Sequence, residues 1–527
     1  MSVLLHQLIH QQQRSNPDNI ALLHGNHQWT YAELWKLVEQ TAEGFVAAGL
    51  RPGQRIAIYL PKQIEAVVSF FAASACGAVF VPINPLLKPA QITHIINDCQ
   101  AQLLVTSAER WQQVEEAVSD CESLKAAYLT TESKTPARSI ATHAWKTLQQ
   151  SGSNPAALVQ HGLDSALASI LYTSGSTGQP KGVVLTHRNM MAGAESVSTY
   201  LNNTSRDRLL AVLPFSFDYG LSQMTTAFRV GASVALMDYL LPRDVIKALS
   251  RFEITGLAAV PPLWNQLAAL EWPDDVRQRL RYITNSGGAM PQSTTKKLQA
   301  ALPNTDIFLM YGLTEAFRST YLPPDHVAVR PTSMGKAIPN AEILVVRDDG
   351  SLCDANEVGE LVHRGPLVSQ GYWNDPAKTA ERFKPAPGQL AELPLTEIAV
   401  WSGDQVYRDE EGFLYFVSRK DEMIKTSGYR VSPTEVEEVL YQSPLIRETA
   451  AIGVPHPTLG QAIVLVACSK EGGEDNKDAV LQYCRQQLPN FMIPQEVIFK
   501  TTLPRNPNGK IDRKLLSQEF NDLFSLN

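Results

Sequence analysis

The N-terminal part of the chain alternates between helical and strand-like hydrophobic patterns. YAELWKLVEQTAEGFVAAG reads as a helix: Thr30 and Glu33 stand at capping-box spacing before it, and Gly49 can close it. RIAIYL (55–60) is a short apolar strand, followed by a helix from about Ile64 and the strand AVFVPI. This β-α-β order predicts a largely parallel sheet covered by helices. LLVTS (103–107), ASILYTS (168–174), SVALMD (233–238), GLAAVPP (256–262) and IFLMYG (307–312) read as further strands. One stretch, Ala66 to Leu87, carries no charge and nearly reaches bilayer length. Its small residues, the stop at Gly77 and the break at Asn84 and Pro85 instead predict a core helix followed by a core strand.

Around Val362 the texture changes. ELVHRG and FLYFVSR alternate as antiparallel strands do. A smaller unit begins after SRKDEMIK (418–425). There Ser432, Pro433 and Glu435 supply an N-cap, a first-turn proline and a capping-box glutamate. The strands ETAAIGV and AIVLVAC, a helix near 476–488 and the strand EVIFK complete a small α+β domain. The expected division is a large α/β domain over 1–418 and a small domain over 419–527, with the boundary at 418–422.

Composition narrows the function. A chain of 527 residues exceeds one core, so more than one domain is expected. The net charge of -7, with no Lys/Arg cluster, gives no electrostatic footprint for nucleic acid. The six cysteines form no CxxC pair, which argues against a zinc site or a disulfide framework and fits a reducing cytoplasm. The N-terminus lacks the basic start, long apolar core and cleavage site of a signal peptide.

The stretch YTSGSTGQPKGV (172–183) suits neither a core helix nor a core strand. Its glycines let backbone N–H groups turn inward, its hydroxyls donate hydrogen bonds, and Lys181 adds a point charge, so the loop suits phosphate. With a strand before it and the helix-like LTHRNMMAGAESV after it, the loop is expected at a strand end, where ligands bind in α/β folds. Gly178 and Lys181 do not make Walker A spacing.

TSGSTGQPKG resembles the signature loop of the adenylate-forming enzymes, which include acyl-CoA synthetases, amino-acid adenylation domains and luciferases. PFSFDYG (214–220), NSGGAM (285–290), YGLTEA (311–316), SGD (402–404), SRKDEMIKTSGYR (418–430) and NPNGKIDR (506–513) follow in the family's order. YGLTEAFRSTYLPP and FSFDYGLSQ look most similar to two stand-alone branches: ligases of exosortase and exopolysaccharide loci, and free-standing enzymes that load amino acids onto carrier proteins. The resemblance implies parallel sheets under helices plus a small β-barrel-like part in the large domain, and a mobile small domain.

It also implies roles for single residues. Thr173, Ser174, Gly175, Ser176, Thr177, Gly178 and Lys181 would hold the ATP phosphates. Glu315 would bind Mg²⁺ and Thr314 would touch the α-phosphate; read alone, Glu315 is equally a first-turn glutamate at a helix start. Tyr311, followed by Gly312, would offer its ring to adenine against the Gly287–Gly288–Ala289 turn. Asp404 would accept from both ribose hydroxyls, a vicinal diol that suits a carboxylate, and Arg419 would add a contact; locally Asp404 also reads as a turn residue. Lys510, in a turn where lysine is ordinarily solvated, would reach across to the substrate carboxylate and α-phosphate. Asp421 would be the hinge, and Gly428 would line the thiol tunnel.

Asp218 would pair with a substrate ammonium, because a buried ammonium needs a partner, or else would cap the following helix. By resemblance the rest of the acid pocket is Tyr219, Ser222, Ala259, Thr284, Ser286, Met310, Arg318 and Ser319. This small-to-medium, partly polar set disfavours a long fatty chain and suits a compact amino or imino acid such as proline. Arg318 either faces a substrate carboxylate or pairs with an acid outside the pocket. No carrier unit follows residue 513, so the thiol is expected from a separate phosphopantetheinylated carrier protein or from coenzyme A. The alternatives are an acyl-CoA ligase for a small acid and a non-catalytic nucleotide sensor.

Overall fold

The computed structural model describes residues 3–132, 139–150, 158–159, 162–173, 180–290, 292–390, 392–419, 423–441, 443–469, 476–504 and 511–525. Their strands form three sheets. In the first, Ala141–Ala144, Ala126–Leu129, Ala101–Thr106, Arg55–Tyr59, Val79–Pro82 and Leu167–Thr173 run parallel in that order. Lys181–Thr186 closes the edge antiparallel.

That edge strand corrects the sequence reading, which ran the Gly/Ser/Thr loop directly into a helix. KGVVLT folds back with Lys181 opposite Thr173, so the loop joins the two arms of a β-hairpin. The helix His187–Tyr200 starts only after Thr186, whose side chain accepts from the Asn189 N–H. The loop residues Ser174, Gly175, Ser176, Thr177 and Gly178 lie outside the described residues.

The second sheet has a parallel half made of Ile20–His24, Ser233–Leu236, Arg208–Ala211, Gly256–Ala259, Tyr282–Asn285 and Asp306–Tyr311. Its inner strands Gly256–Ala259 and Tyr282–Asn285 are buried along their whole length, as parallel strands covered on both faces are. Pairing turns antiparallel at Thr320–Leu322, earlier than the change of texture at Val362 suggests. It continues through Ser333–Ala337, Leu414–Arg419, Ile398–Arg408 and Val358–Arg364 to Glu342–Val346.

The helix Tyr31–Ala47 carries the expected capping box, and Gly49 follows it at φ +88°. The charge-free segment is the buried helix Ile64–Ala75 followed by the strand Val79–Pro82. Among the described residues no helix is long and apolar enough to cross a membrane. All six cysteines are buried and unpaired.

The third sheet belongs to the C-terminal part. Tyr429–Val431, Ile424–Thr426, Gly460–Ser469 and Ile446–His456 are antiparallel neighbours, and Glu496–Phe499 runs parallel to Gly460–Ser469. Pro433–Tyr441 and Lys477–Gln487 cover one face, while Leu516 of Arg513–Glu519 packs on the other. The second sheet's last strand ends at Arg419 and this sheet's first begins at Ile424. Asp421 falls between them, outside the described residues.

Candidate active site

The parallel strands of the second sheet end along one crest, where short segments leave them: Pro214–Gly220, Val260, Ser286–Gly287 and Gly312–Glu315. These segments border a cleft of about 870 Å³. Thr173 and Lys181 of the hairpin face it from the first sheet, and Gly428, Tyr429 and Arg430 face it from the small domain.

Glu315 sits in a 3-10 turn directly after the Asp306–Tyr311 strand and is buried. Its Oε1 accepts from the Tyr372 hydroxyl at 2.7 Å and from Lys181 Nζ at 3.4 Å. Lys181 Nζ also donates to the Tyr372 hydroxyl at 2.9 Å and lies over the same ring. Burial pushes the Glu315 carboxyl up, but Lys181, Arg430 and the Tyr372 hydroxyl outweigh it and hold the group well below the usual carboxylate range. The signature lysine and the expected metal ligand thus meet through a tyrosine that no sequence motif singled out.

Asp218 is the first residue of the helix Asp218–Val230, one position past the cap, which Phe217 occupies. Its Oδ1 accepts from the Thr314 hydroxyl at 3.1 Å, and its Oδ2 stands 3.9 Å from an Arg318 guanidinium nitrogen. Burial raises the Asp218 carboxyl, while Arg318 and Thr314 act against it. The acidic neighbour of Arg318, Asp218, lies inside the pocket rather than outside it. Gly312 allows the approach: a Cβ there would come within 3.2 Å of the Arg318 Cα.

The acid pocket is shorter than expected. Asp218, Tyr219, Ser286 and Arg318 line the cleft, whereas Ser222, Ala259, Thr284, Met310 and Ser319 do not. The cause is steric and polar filling. Tyr219 lies across the floor, its hydroxyl 2.7 Å from Thr284 Oγ1, and Arg318 stacks over its ring and covers Ser222. Met310 packs with its sulfur at the Tyr200 hydroxyl, the Ala259 carbonyl accepts from the Trp264 indole, and Ser319 bonds His363 Nδ1 at 2.9 Å.

Tyr311 donates its hydroxyl to Asp404 Oδ2 at 2.5 Å. Among the described residues neither borders the cleft, so the expected adenine and ribose partners here face each other. Arg419 stands opposite Asp404 in strand register. Lys510 lies outside the described residues.

A second cavity of about 800 Å³ opens between the domains, with Gly287, Gly288 and Ala289 on one wall and Lys425, Gln461 and Arg513 on the other. Gly287 and Gly428 border both cavities. Gly428 has φ +83°, and a Cβ there would fall 2.8 Å from Val260, so only glycine fits this contact. Next to it, Tyr429 stacks on Phe491 and meets Phe217 edge to face. Gln91 of the large domain donates to Glu435 of the small one at 2.9 Å.

Residues 9–373 match the family model of the AMP-binding enzymes, and residues 435–510 match that of the AMP-binding enzyme C-terminal domain. The chain belongs to the AMP-binding enzymes, and it is an ATP-using, AMP-forming ligase that activates a carboxylic acid. Among curated relatives, it is 29% identical to a long-chain-fatty-acid–CoA ligase of Salmonella typhimurium over 92% of this chain and 90% of that one. It is 28% identical to a linear gramicidin synthase of Brevibacillus parabrevis over 97% of this chain and 6% of that much longer protein. Among solved structures, o-succinylbenzoate CoA synthetase of Bacillus subtilis superposes with a TM-score of 0.83 at 25% identity, over 97% of this chain and 98% of that one.

Proposed function

We propose that the chain activates a small amino or imino acid with ATP and then passes the acyl group to the phosphopantetheine thiol of a separate carrier protein. The observation that carries the amino-acid reading is Asp218, a mostly buried carboxylate on the cleft floor. Its cationic neighbour among the described residues, Arg318, lies beyond hydrogen-bond length at 3.9 Å. A substrate ammonium would supply a closer partner.

In the first half-reaction a carboxylate oxygen attacks the α-phosphorus, the bond to the bridging oxygen breaks, and pyrophosphate leaves. Lys181 and the loop 174–179 would hold the β- and γ-phosphates, with Thr314 at the α-phosphate. Among the described residues no group of three or more His, Cys, Asp or Glu could hold a metal by itself. The single buried, ionised carboxylate of Glu315 instead fits a Mg²⁺ shared with substrate phosphates, and that ion would neutralise charge on the departing pyrophosphate. Lys510 would come from the small domain to bridge the substrate carboxylate and α-phosphate, and rotation about Asp421 would exchange it for the Gly428 face. Adenine would take the Tyr311 ring against Gly287–Ala289, with Asp404 and Arg419 on the ribose. In the second half-reaction the thiol sulfur attacks the acyl carbon and AMP leaves. The cavity that meets the cleft at Gly287 and Gly428 is the route we assign to the thiol arm. Buried, unpaired cysteines support a reducing compartment such as the cytoplasm.

A second reading is a coenzyme A ligase for a small acid without an amine. The Arg318 guanidinium beside Asp218 favours it, and so does the relative named as a CoA ligase. Substrate-dependent ATP–pyrophosphate exchange separates the two. Asp218→Asn abolishes exchange if the substrate carries an ammonium, and leaves amine-free acids as substrates if it does not.

A further inference from the structure

Arg318 is 1% exposed, yet it is poorly satisfied. A guanidinium carries five N–H groups. Here two reach hydroxyls, Ser286 and Ser222, both at 3.4 Å, the far limit of a hydrogen bond. Among the described residues the Nε–H has no acceptor, and the Asp218 carboxylate is 3.9 Å away. The face of Tyr219 adds a cation–π contact at 4.7 Å. Burying a cation with such partners is costly unless something completes them.

The fold nevertheless holds the side chain in place. Phe317, just before it, has φ +55°, which is unusual for an aromatic residue, and is fully buried. Its ring presses on Gly193 of the helix His187–Tyr200, where a Cβ would come within 2.4 Å. A strained turn, a glycine cut to admit the neighbouring ring, and an under-bonded guanidinium at the cleft floor make a preformed receptor.

From this geometry we infer that the substrate acid carries a second planar acceptor, a carboxylate or carboxamide, that docks on Arg318. Such groups match the guanidinium fork and would displace its long hydroxyl contacts with short charge-assisted ones. The inference rests on the acid-activating reading and sharpens it: proline, which suits the sequence, has no such group, whereas aspartate, glutamate, asparagine, glutamine and small dicarboxylates have it. The reacting carboxylate would point to the α-phosphate at Thr314, and the second acceptor to Arg318.

The test is ATP–pyrophosphate exchange by the whole chain on acids crossed in two properties. Aspartate, glutamate, asparagine and glutamine carry both amine and acceptor, and glycine, alanine and proline carry only the amine. Malonate and succinate carry only the acceptor, and acetate and propionate carry neither. Within each amine class, acceptor-bearing acids should lead in kcat/KM by roughly 100-fold or more, since a site built around a polar partner rejects its absence strongly. Carboxylate against carboxamide members then identifies the group. Arg318→Met should remove the preference; if that variant does not fold, the wild-type ranking alone decides. A ranking led by acids without a second acceptor overturns the inference, as does an Arg318→Met variant that keeps the wild-type order. If the amine decides and the acceptor does not, this inference fails and the amino-acid reading stands. If the acceptor decides and the amine does not, the inference stands and the amino-acid reading fails. Silence with every acid overturns both.

Discussion

The Tyr372 hydroxyl donates to Glu315 Oε1 at 2.7 Å while accepting from Lys181 at 2.9 Å. One phenol therefore links the cation that ends the glycine-rich loop to the carboxylate of the YGLTEA motif. Tyr372→Phe keeps the ring and removes the link. Glu315 then loses one of the interactions that hold its carboxyl low, so it protonates at a higher pH than in the wild type. The kcat/KM for ATP should fall by about tenfold near neutrality, as for one buried hydrogen bond. Pyrophosphate exchange at varied ATP measures it; an unchanged kcat/KM would mean that the phenol only packs.

Gly428→Ala places a Cβ 2.8 Å from Val260 at a backbone φ of +83°. The small domain cannot keep this contact. Thioester formation should fall by roughly tenfold or more, consistent with about 1–3 kcal/mol of overpacking and strain. Pyrophosphate exchange, which does not need this face, should persist. The two half-reactions are measured separately by exchange and by acyl transfer to pantetheine.

Gly193→Ala would put a methyl within 2.4 Å of the Phe317 ring. The ring must shift and carry Arg318 with it. Thermal unfolding should report a loss of about 1–3 kcal/mol, and the KM for the acid should rise more than the KM for ATP. Equal changes in both would disconnect Phe317 from the acid pocket.

His6 and His187 are buried side by side. Burial pushes His6 down to about 3, helped by its histidine neighbours, and pushes His187 down to about 4 against the pull of Asp164. His187 Nδ1 accepts from the Leu5 N–H at 3.1 Å, as a neutral ring does. Between pH 6.5 and about 4 the unfolded chain binds more protons than the folded one, so stability falls as the pH falls. The slope should approach about 1.4 kcal/mol per pH unit for each histidine. Denaturant unfolding from pH 7 to pH 4 measures it, and His187→Asn should flatten the curve by about one proton.

Local chemistry was readable along the chain. Thr30 and Glu33 marked a helix start because a capping box involves only four residues, and the helix Ile64–Ala75 with its following strand could be told from a membrane span by small residues and breakers. Residues of PFSFDYG, NSGGAM and YGLTEA border the cleft because each motif sits at the end of a parallel strand, whereas SGD lies within the strand Ile398–Arg408. The strand Lys181–Thr186 was missed, since its opening Lys-Gly is polar and flexible and only pairing with Leu167–Thr173 makes it a strand.

Caps, breakers, alternating strands and a phosphate-suited loop are short-range devices, and they spell the family without any contact between distant residues. Which pocket residues face the acid depends on packing, because Tyr219 and Arg318 fill the space in front of Ser222 and Thr284. Tertiary packing alone joined Tyr372 to Glu315, Asp218 to Arg318 and Gly428 to Val260. Those contacts depend on side-chain volume and chain crossing across 57 to 168 positions of sequence, and no local pattern encodes either.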